Sequence, residues 1–176
     1  PRSIYARHKL DTEQIIIKYL KNTKINLYIF RLPLVVGPNA KGNLLKLYKY
    51  IKTNLPIPVI NINNKRSFIS TNNLNLLIYK VLSSNIIFKP GTFLICNDEK
   101  LSTLELIKFI RKNLTKKSIL ILINPKFAKI FFLKFKFFNF FYNQNIDNSK
   151  AKKNFNWQPD NDLKKSLNLM LLSYKK

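Results

Sequence analysis

Cysteine, histidine and glycine are almost missing from this chain, and acidic side chains are scarce. One cysteine, Cys96, excludes an internal disulfide and a thiolate metal cluster. One histidine, His8, excludes a multi-histidine site, so no metal is expected. A lone thiol fits a reducing compartment, and a cytoplasmic location is the expectation. The three glycines, Gly37, Gly42 and Gly91, build no glycine-rich phosphate-binding turn. The most apolar run, residues 127–142 (FAKIFFLKFKFFNFFY), is shorter than the ~20 residues that span a bilayer. Lys129, Lys134 and Lys136 interrupt it, so a core helix is expected there. The chain begins with Pro1, which reads as a piece of a longer chain or a processed product.

Eight Asp and Glu against 32 Lys and Arg leave a formal net charge of +24. Such charge points first to nucleic acid or to an anionic membrane. Lysine far outnumbers arginine, however, and the excess runs along the whole chain beside abundant Asn, Ile, Phe and Tyr. All of these have AT-rich codons, so compositional drift is the favoured account. No specific nucleic-acid partner is expected, and membrane-surface contact is the less favoured alternative. Apolar residues make up 46% of the chain, enough for a core.

Helical and extended patterns alternate, which predicts an α/β class. Residues 4–20, 43–52, 71–82, 103–113, 148–155 and 162–174 read as helices. Residues 26–30, 58–62, 67–70, 92–96 and 118–123 are β-prone. Thr71 is expected to cap the third helix, and Pro125 to start another. Ser102 and Glu105 form an S-x-x-E capping box.

Tyr5 and Lys9 stand four residues apart on the first helix, on one face. A free phenol titrates near ~10, too high for a base at neutral pH. A neighbouring ammonium favours the phenolate, and such a pair can take a proton from a sugar hydroxyl. The spacing alone is weak, since Tyr48 and Lys52 repeat it.

The surrounding segments add order. YARHKLDTEQ (5–14), RLPLVVGP (31–38), NAKGNLLKLYKYI (39–51), LPIPVININNKRSFIS (55–70), LICNDEKLSTLELI (94–107) and IDNSKAKKNFNWQPDNDLKKSL (146–167) follow one another. In that order they resemble the C-terminal part of the extended short-chain dehydrogenases, the NAD-dependent epimerase/dehydratase family. The nearest flavour is that of UDP-sugar 4-epimerases and 4-keto reductases of bacterial polysaccharide synthesis.

The resemblance implies a partial Rossmann-type, doubly wound α/β domain lacking its N-terminal half, with a small mixed α/β substrate-binding domain. Residues 1–36 would be the dinucleotide-domain remnant and residues 37–176 mainly the substrate-binding part. It implies NAD or NADP as cofactor, a nucleotide sugar as substrate, and hydride transfer at sugar C4. Tyr5 would be the catalytic acid or base, and Lys9 its partner, holding the nicotinamide ribose. Pro33 would border the nicotinamide, Asn43 face the nucleotide, and Arg66 meet the diphosphate. His8 stands where a small residue is usual, Leu34 where many relatives have Asn, and Asn73 where Asp is common. Epimerase, reductase and dehydratase stay open, as does a homodimer. An inactive remnant and a basic nucleic-acid-binding module remain as alternatives. The chain by itself is not expected to be active.

Overall fold

The computed structural model describes residues 4–60, 63–115, 117–124 and 138–175. The chain opens with α1 (Ile4–Leu20) and β1 (Tyr28–Arg31), followed by β2 (Leu34–Val36), α2 (Asn43–Lys52) and β3 (Ile57–Val59). Then come β4 (Arg66–Ser70), α3 (Thr71–Ser83), β5 (Gly91–Leu94), β6 (Lys100–Leu101), α4 (Thr103–Asn113) and β7 (Leu120–Leu122). A 3-10 turn (Phe138–Phe141), α5 (Ser149–Phe155) and α6 (Leu163–Lys175) follow. The helix expected from Pro125, and most of the 127–142 run, lie outside the described residues.

Among the described residues three small sheets form: β1-β5, β2-β4-β6 and β3-β7. All pairs are parallel except β4 with β6. Parallel pairs need long crossovers, which the intervening helices supply. Ile95 N–H donates to Arg31 O (3.1 Å) and Asn97 N–H to Phe68 O (2.7 Å), so the strand leaving β5 stitches the first sheet to the second.

Local chemistry explains the boundaries. Ser70, one residue before the expected cap, accepts from Asn73 N–H at 3.0 Å and starts α3. The Ser102–Glu105 capping box forms as the sequence implies. Asn156 closes α5 in the left-handed conformation, φ 43°. Gly37 is needed for close approach: a Cβ there would overlap the Thr71 side chain.

Two apolar clusters result. One gathers α2, α4 and α6 against β3 and Phe68. The other centres on Phe155, which meets Phe93, Phe88, Phe30 and Tyr28 edge-on at 4.7, 5.2, 5.7 and 5.9 Å. The strand β1 therefore shares its core with β5, α3 and α5.

A buried polar knot ties these layers to the C-terminal segment. Asp162 accepts from Ser70 Oγ (3.0 Å), Asn73 Nδ2 (3.1 Å) and Asn97 Nδ2 (3.1 Å). Asn73 also donates to Asn97 Oδ1 and to Asp160 O, and accepts from Asp160 N–H. An amide at position 73 thus gives donors that a carboxylate lacks. The variant Asn73→Asp is expected to lose about 2 kcal/mol at neutral pH, because it sets a buried carboxylate against the half-buried one of Asp162. Burial and repulsion would raise the new carboxyl's folded pKa, so the deficit shrinks as pH falls through that value. Urea denaturation of variant and parent across pH measures this; a deficit unchanged by pH would contradict it.

Asp98 lies nearer the surface. Burial pushes its carboxyl up, but donation from Lys152, Asn148 and Gln158 outweighs that and holds it below the ordinary 3.8. A depressed carboxyl stabilises the fold above its ordinary range, and that stability fades as pH falls through the folded value. With the Asp98 side chain 37% exposed, the effect should stay below about 1 kcal/mol. Asp98→Asn is expected to flatten the acid limb of the stability curve below about pH 4 by that amount.

Candidate active site

The helix α1 runs back along β1. Near its end, Ile17 and Leu20 share a groove with Leu27 and Ile29. Further up, Glu13 clasps Arg31, the last residue of β1, at 2.6 Å. This bond keeps the Arg31 guanidinium charged to higher pH than usual. Lys9 and Tyr5 lie one and two turns beyond Glu13, about 6 and 12 Å along the axis at 1.5 Å per residue. They therefore project past the C-terminal end of β1. In open parallel sheets this is the end at which ligands bind.

Tyr5 and Lys9 are brought together, with Lys9 Nζ 5.7 Å from the centre of the Tyr5 ring. The ring is 71% exposed, and α1 buries none of its side chains. Pro33 is buried in the two-residue link between β1 and β2. The β2–β4 register pairs Leu34 with Phe68, so one residue earlier Pro33 falls level with Ser67, beside Arg66.

Arg66 itself is only 6% exposed. Its Nη1 donates to Phe140 O (3.1 Å) and Tyr142 O (3.2 Å), its Nη2 donates to Gln144 Oε1 (2.7 Å), and the guanidinium lies 5.2 Å over the Phe140 ring. Burial lowers its pKa. The fork thus already grips three oxygens on one segment, which a bound diphosphate would have to share or replace.

Asn43 lies on another element, α2. It is half-buried at the first turn of α2, behind the loop 37–42. That loop is pinned from α6: Asn39 N–H donates to Ser173 Oγ (2.8 Å), and the Tyr174 hydroxyl, pushed up to about 12 by burial, donates to Ala40 O. Gly42 precedes Asn43 at φ 73°, ψ −133°, a conformation that glycine alone adopts without strain.

Two features escaped the sequence reading. Buried Asn64 donates to Thr103 Oγ1 and Phe140 O, both at 2.9 Å, and accepts from Thr103 N–H at 3.0 Å, fixing the segment that holds Arg66. Beside it opens a cleft of about 610 Å³ lined by Asn63, Asn64, Lys65, Lys100, Ser102 and Glu105 among others. The asparagine pair before Arg66 was the available signal; the aromatic run before Phe140 masked the acceptors. Among the described residues no group of His, Cys, Asp and Glu could hold a metal ion.

The chain is similar to known proteins. The model of the NAD-dependent epimerase/dehydratase family matches residues 1–96. UDP-glucose 4-epimerase of Vibrio cholerae is 28% identical over 109 residues, which are 61% of this chain and 33% of that protein. The UDP-glucuronic acid 4-epimerase of Bacillus cereus, solved in complex with NAD, superposes with a TM-score of 0.78 at 20% identity. That likeness covers 99% of this chain and 53% of that one. RMD from Pseudomonas aeruginosa, complexed with NADPH, gives 0.73 at 15% identity, covering 100% and 57%. The chain thus spans about a third of the curated relative and about half of these solved structures. The matched residues are more than half of the chain and contain Tyr5, Lys9, Pro33, Asn43 and Arg66, and the chain belongs to the NAD-dependent epimerase/dehydratase family.

Proposed function

We propose that this chain is the substrate-side part of a nucleotide-sugar epimerase or 4-keto reductase working at sugar C4 on a UDP-hexose or UDP-N-acetylhexosamine. The observation that carries the reading is the Tyr5–Lys9 pair held beyond the C-terminal end of β1 by the Glu13–Arg31 clasp. Residues 1–36 would complete a dinucleotide-binding domain together with a glycine-rich half, and residues 37–176 would mainly form the substrate side.

The residues fit the reactive end of a nicotinamide dinucleotide and not its phosphates. A phenol and an ammonium sit together at that end, a buried proline follows β1, and the three glycines are scattered singly. When bound, the nicotinamide supplies hydride transfer. The chain's own contribution is proton handling and positioning. The Tyr5 oxygen, as phenolate, takes the proton from the sugar 4-hydroxyl during oxidation, and the resulting hydroxyl returns it during reduction. The Lys9 ammonium lies beside the Tyr5 ring, with Nζ 5.7 Å from its centre, and orients the ribose. Arg66 meets the diphosphate with its planar fork, exchanging some of its present carbonyl acceptors for phosphate oxygens. Asn43 faces the nucleotide from the start of α2.

The test offers UDP-glucose, and separately a UDP-4-keto-hexose, to a polypeptide joining this chain to a glycine-rich dinucleotide-binding half, with NAD or NADPH. Conversion of either, followed by chromatography of the products, is the expected result. A folded, nucleotide-binding polypeptide that converts neither would overturn the proposal.

A further inference from the structure

The end of the molecule opposite Tyr5 has a distinct surface. Two loops meet there, 21–27 before β1 and 84–90 before β5. Gly91 N–H donates to Leu27 O at 3.0 Å, and the Tyr28 hydroxyl donates to Phe88 O at 2.8 Å. A groove of about 270 Å³ lies between them, lined by Ile17, Leu20, Ile25, Leu27 and Pro90 among others.

Around this groove aliphatic side chains stand in water. Ile25 is 62% exposed, Leu82 80%, Ile86 70% and Ile87 77%. Tyr19, on the last turn of α1, is 83% exposed. Exposed Lys18, Lys21, Lys24 and Lys89 surround them. No Asp or Glu occurs anywhere between residues 14 and 97, so no carboxylate from this stretch opposes those ammonium groups.

We infer that this end is a peripheral docking surface for an anionic lipid bilayer. Ile25, Leu82, Ile86 and Ile87 enter the interfacial layer, and the four lysines meet lipid phosphates. Tyr19 is the amphipathic kind of ring that collects at such interfaces. The chemistry favours lipid over nucleic acid. Nucleic-acid grooves use arginine forks and several stacking rings, whereas every cation in residues 14–30 and 80–97 is lysine and the exposed tips are mainly aliphatic. Among the described residues no helix is long and apolar enough to cross a membrane, which fits a surface contact. In this orientation Tyr5 stands about 20 Å from Lys18 along α1, on the side facing away from the lipid. The inference rests on this end staying uncovered when residues 1–36 join the glycine-rich half proposed above, and vesicle binding is read independently of turnover.

Co-sedimentation of a polypeptide joining this chain to a glycine-rich dinucleotide-binding half, with vesicles of phosphatidylglycerol and phosphatidylcholine, tests it. An excess charge of +24 would draw any protein to such vesicles, so the experiment must localise the contact. The triple variant Lys21→Gln, Lys24→Gln, Lys89→Gln is expected to weaken binding about a hundredfold, at about fivefold per lysine. A charge-matched control, Lys46→Gln, Lys49→Gln, Lys164→Gln on α2 and α6, should weaken it much less. Ile86→Ser with Ile87→Ser should weaken binding about tenfold or more with the charge unchanged. In Ile87→Trp the new indole should be quenched by lipids brominated on their acyl chains. All these positions are exposed, and circular dichroism checks that each variant folds. Equal losses in both lysine triples, an unaffected serine variant or an unquenched indole would overturn the inference. Binding to single-stranded DNA through the same lysines, with no vesicle binding, would overturn it too.

Discussion

Turnover of a UDP-hexose is expected to fall about 10²–10⁴-fold in kcat when Tyr5 becomes phenylalanine in a polypeptide that completes the dinucleotide site, the usual range for loss of a general acid–base. The substitution removes one oxygen from a ring that is 71% exposed, and α1 buries no side chain, so the fold should be untouched. Nucleotide affinity should stay nearly constant, because Tyr5 is assigned to the proton and not to the diphosphate. A drop in kcat with KM preserved is therefore the signature sought. Lys9→Met is expected to act on the same step and also to weaken cofactor binding. If Tyr5→Phe turned over normally, Tyr5 would leave the mechanism. Arg66→Lys should behave differently, since an ammonium cannot reproduce the fork that grips three oxygens at 2.7–3.2 Å.

Phe155→Ala is expected to cost about 3–5 kcal/mol of stability. The ring is fully buried and meets four aromatic rings at 4.7–5.9 Å, two of them on β1. Its removal leaves a cavity where α5 presses on the β1–β5 sheet, and a seven-residue helix has little local strength to resist. In a domain of this size each kcal/mol lowers Tm by about 2–4 °C, so a fall of more than about 6 °C should appear by calorimetry. Phe155→Leu, which fills part of the volume, should recover much of the loss. A Tm unchanged in the alanine variant would mean that the aromatic cluster does not hold β1 in place.

Local signals were the most legible. The periodic apolar face of residues 43–52 and the Ser102–Glu105 box gave α2 and the start of α4 where they stand, because short-range hydrogen bonds set those ends. Thr71 was displaced as a cap by Ser70, a difference of one residue between two hydroxyls that only backbone geometry separates. The division of the strands into three small sheets was not readable, since pairing partners such as β1 and β5 lie some sixty residues apart. The Tyr5–Lys9 spacing was readable because a helix maps four residues onto one face. The setting of Arg66 was not: its acceptors are backbone carbonyls at 140 and 142, which every residue type carries. Asn73 shows the same limit. Sequence marks it as a departure from a common Asp, and only the meeting with Asp162 explains why an amide belongs there.

The central claim is that the reacting carbon is C4 of a nucleotide sugar and that hydride moves there. A nucleotide sugar deuterated at C4, or a nicotinamide carrying the label when a 4-keto sugar is reduced, gives the most direct measurement. The expected result is a slowed reaction with deuterium found at C4 of the product. Unchanged rates with the label released to water would contradict the account.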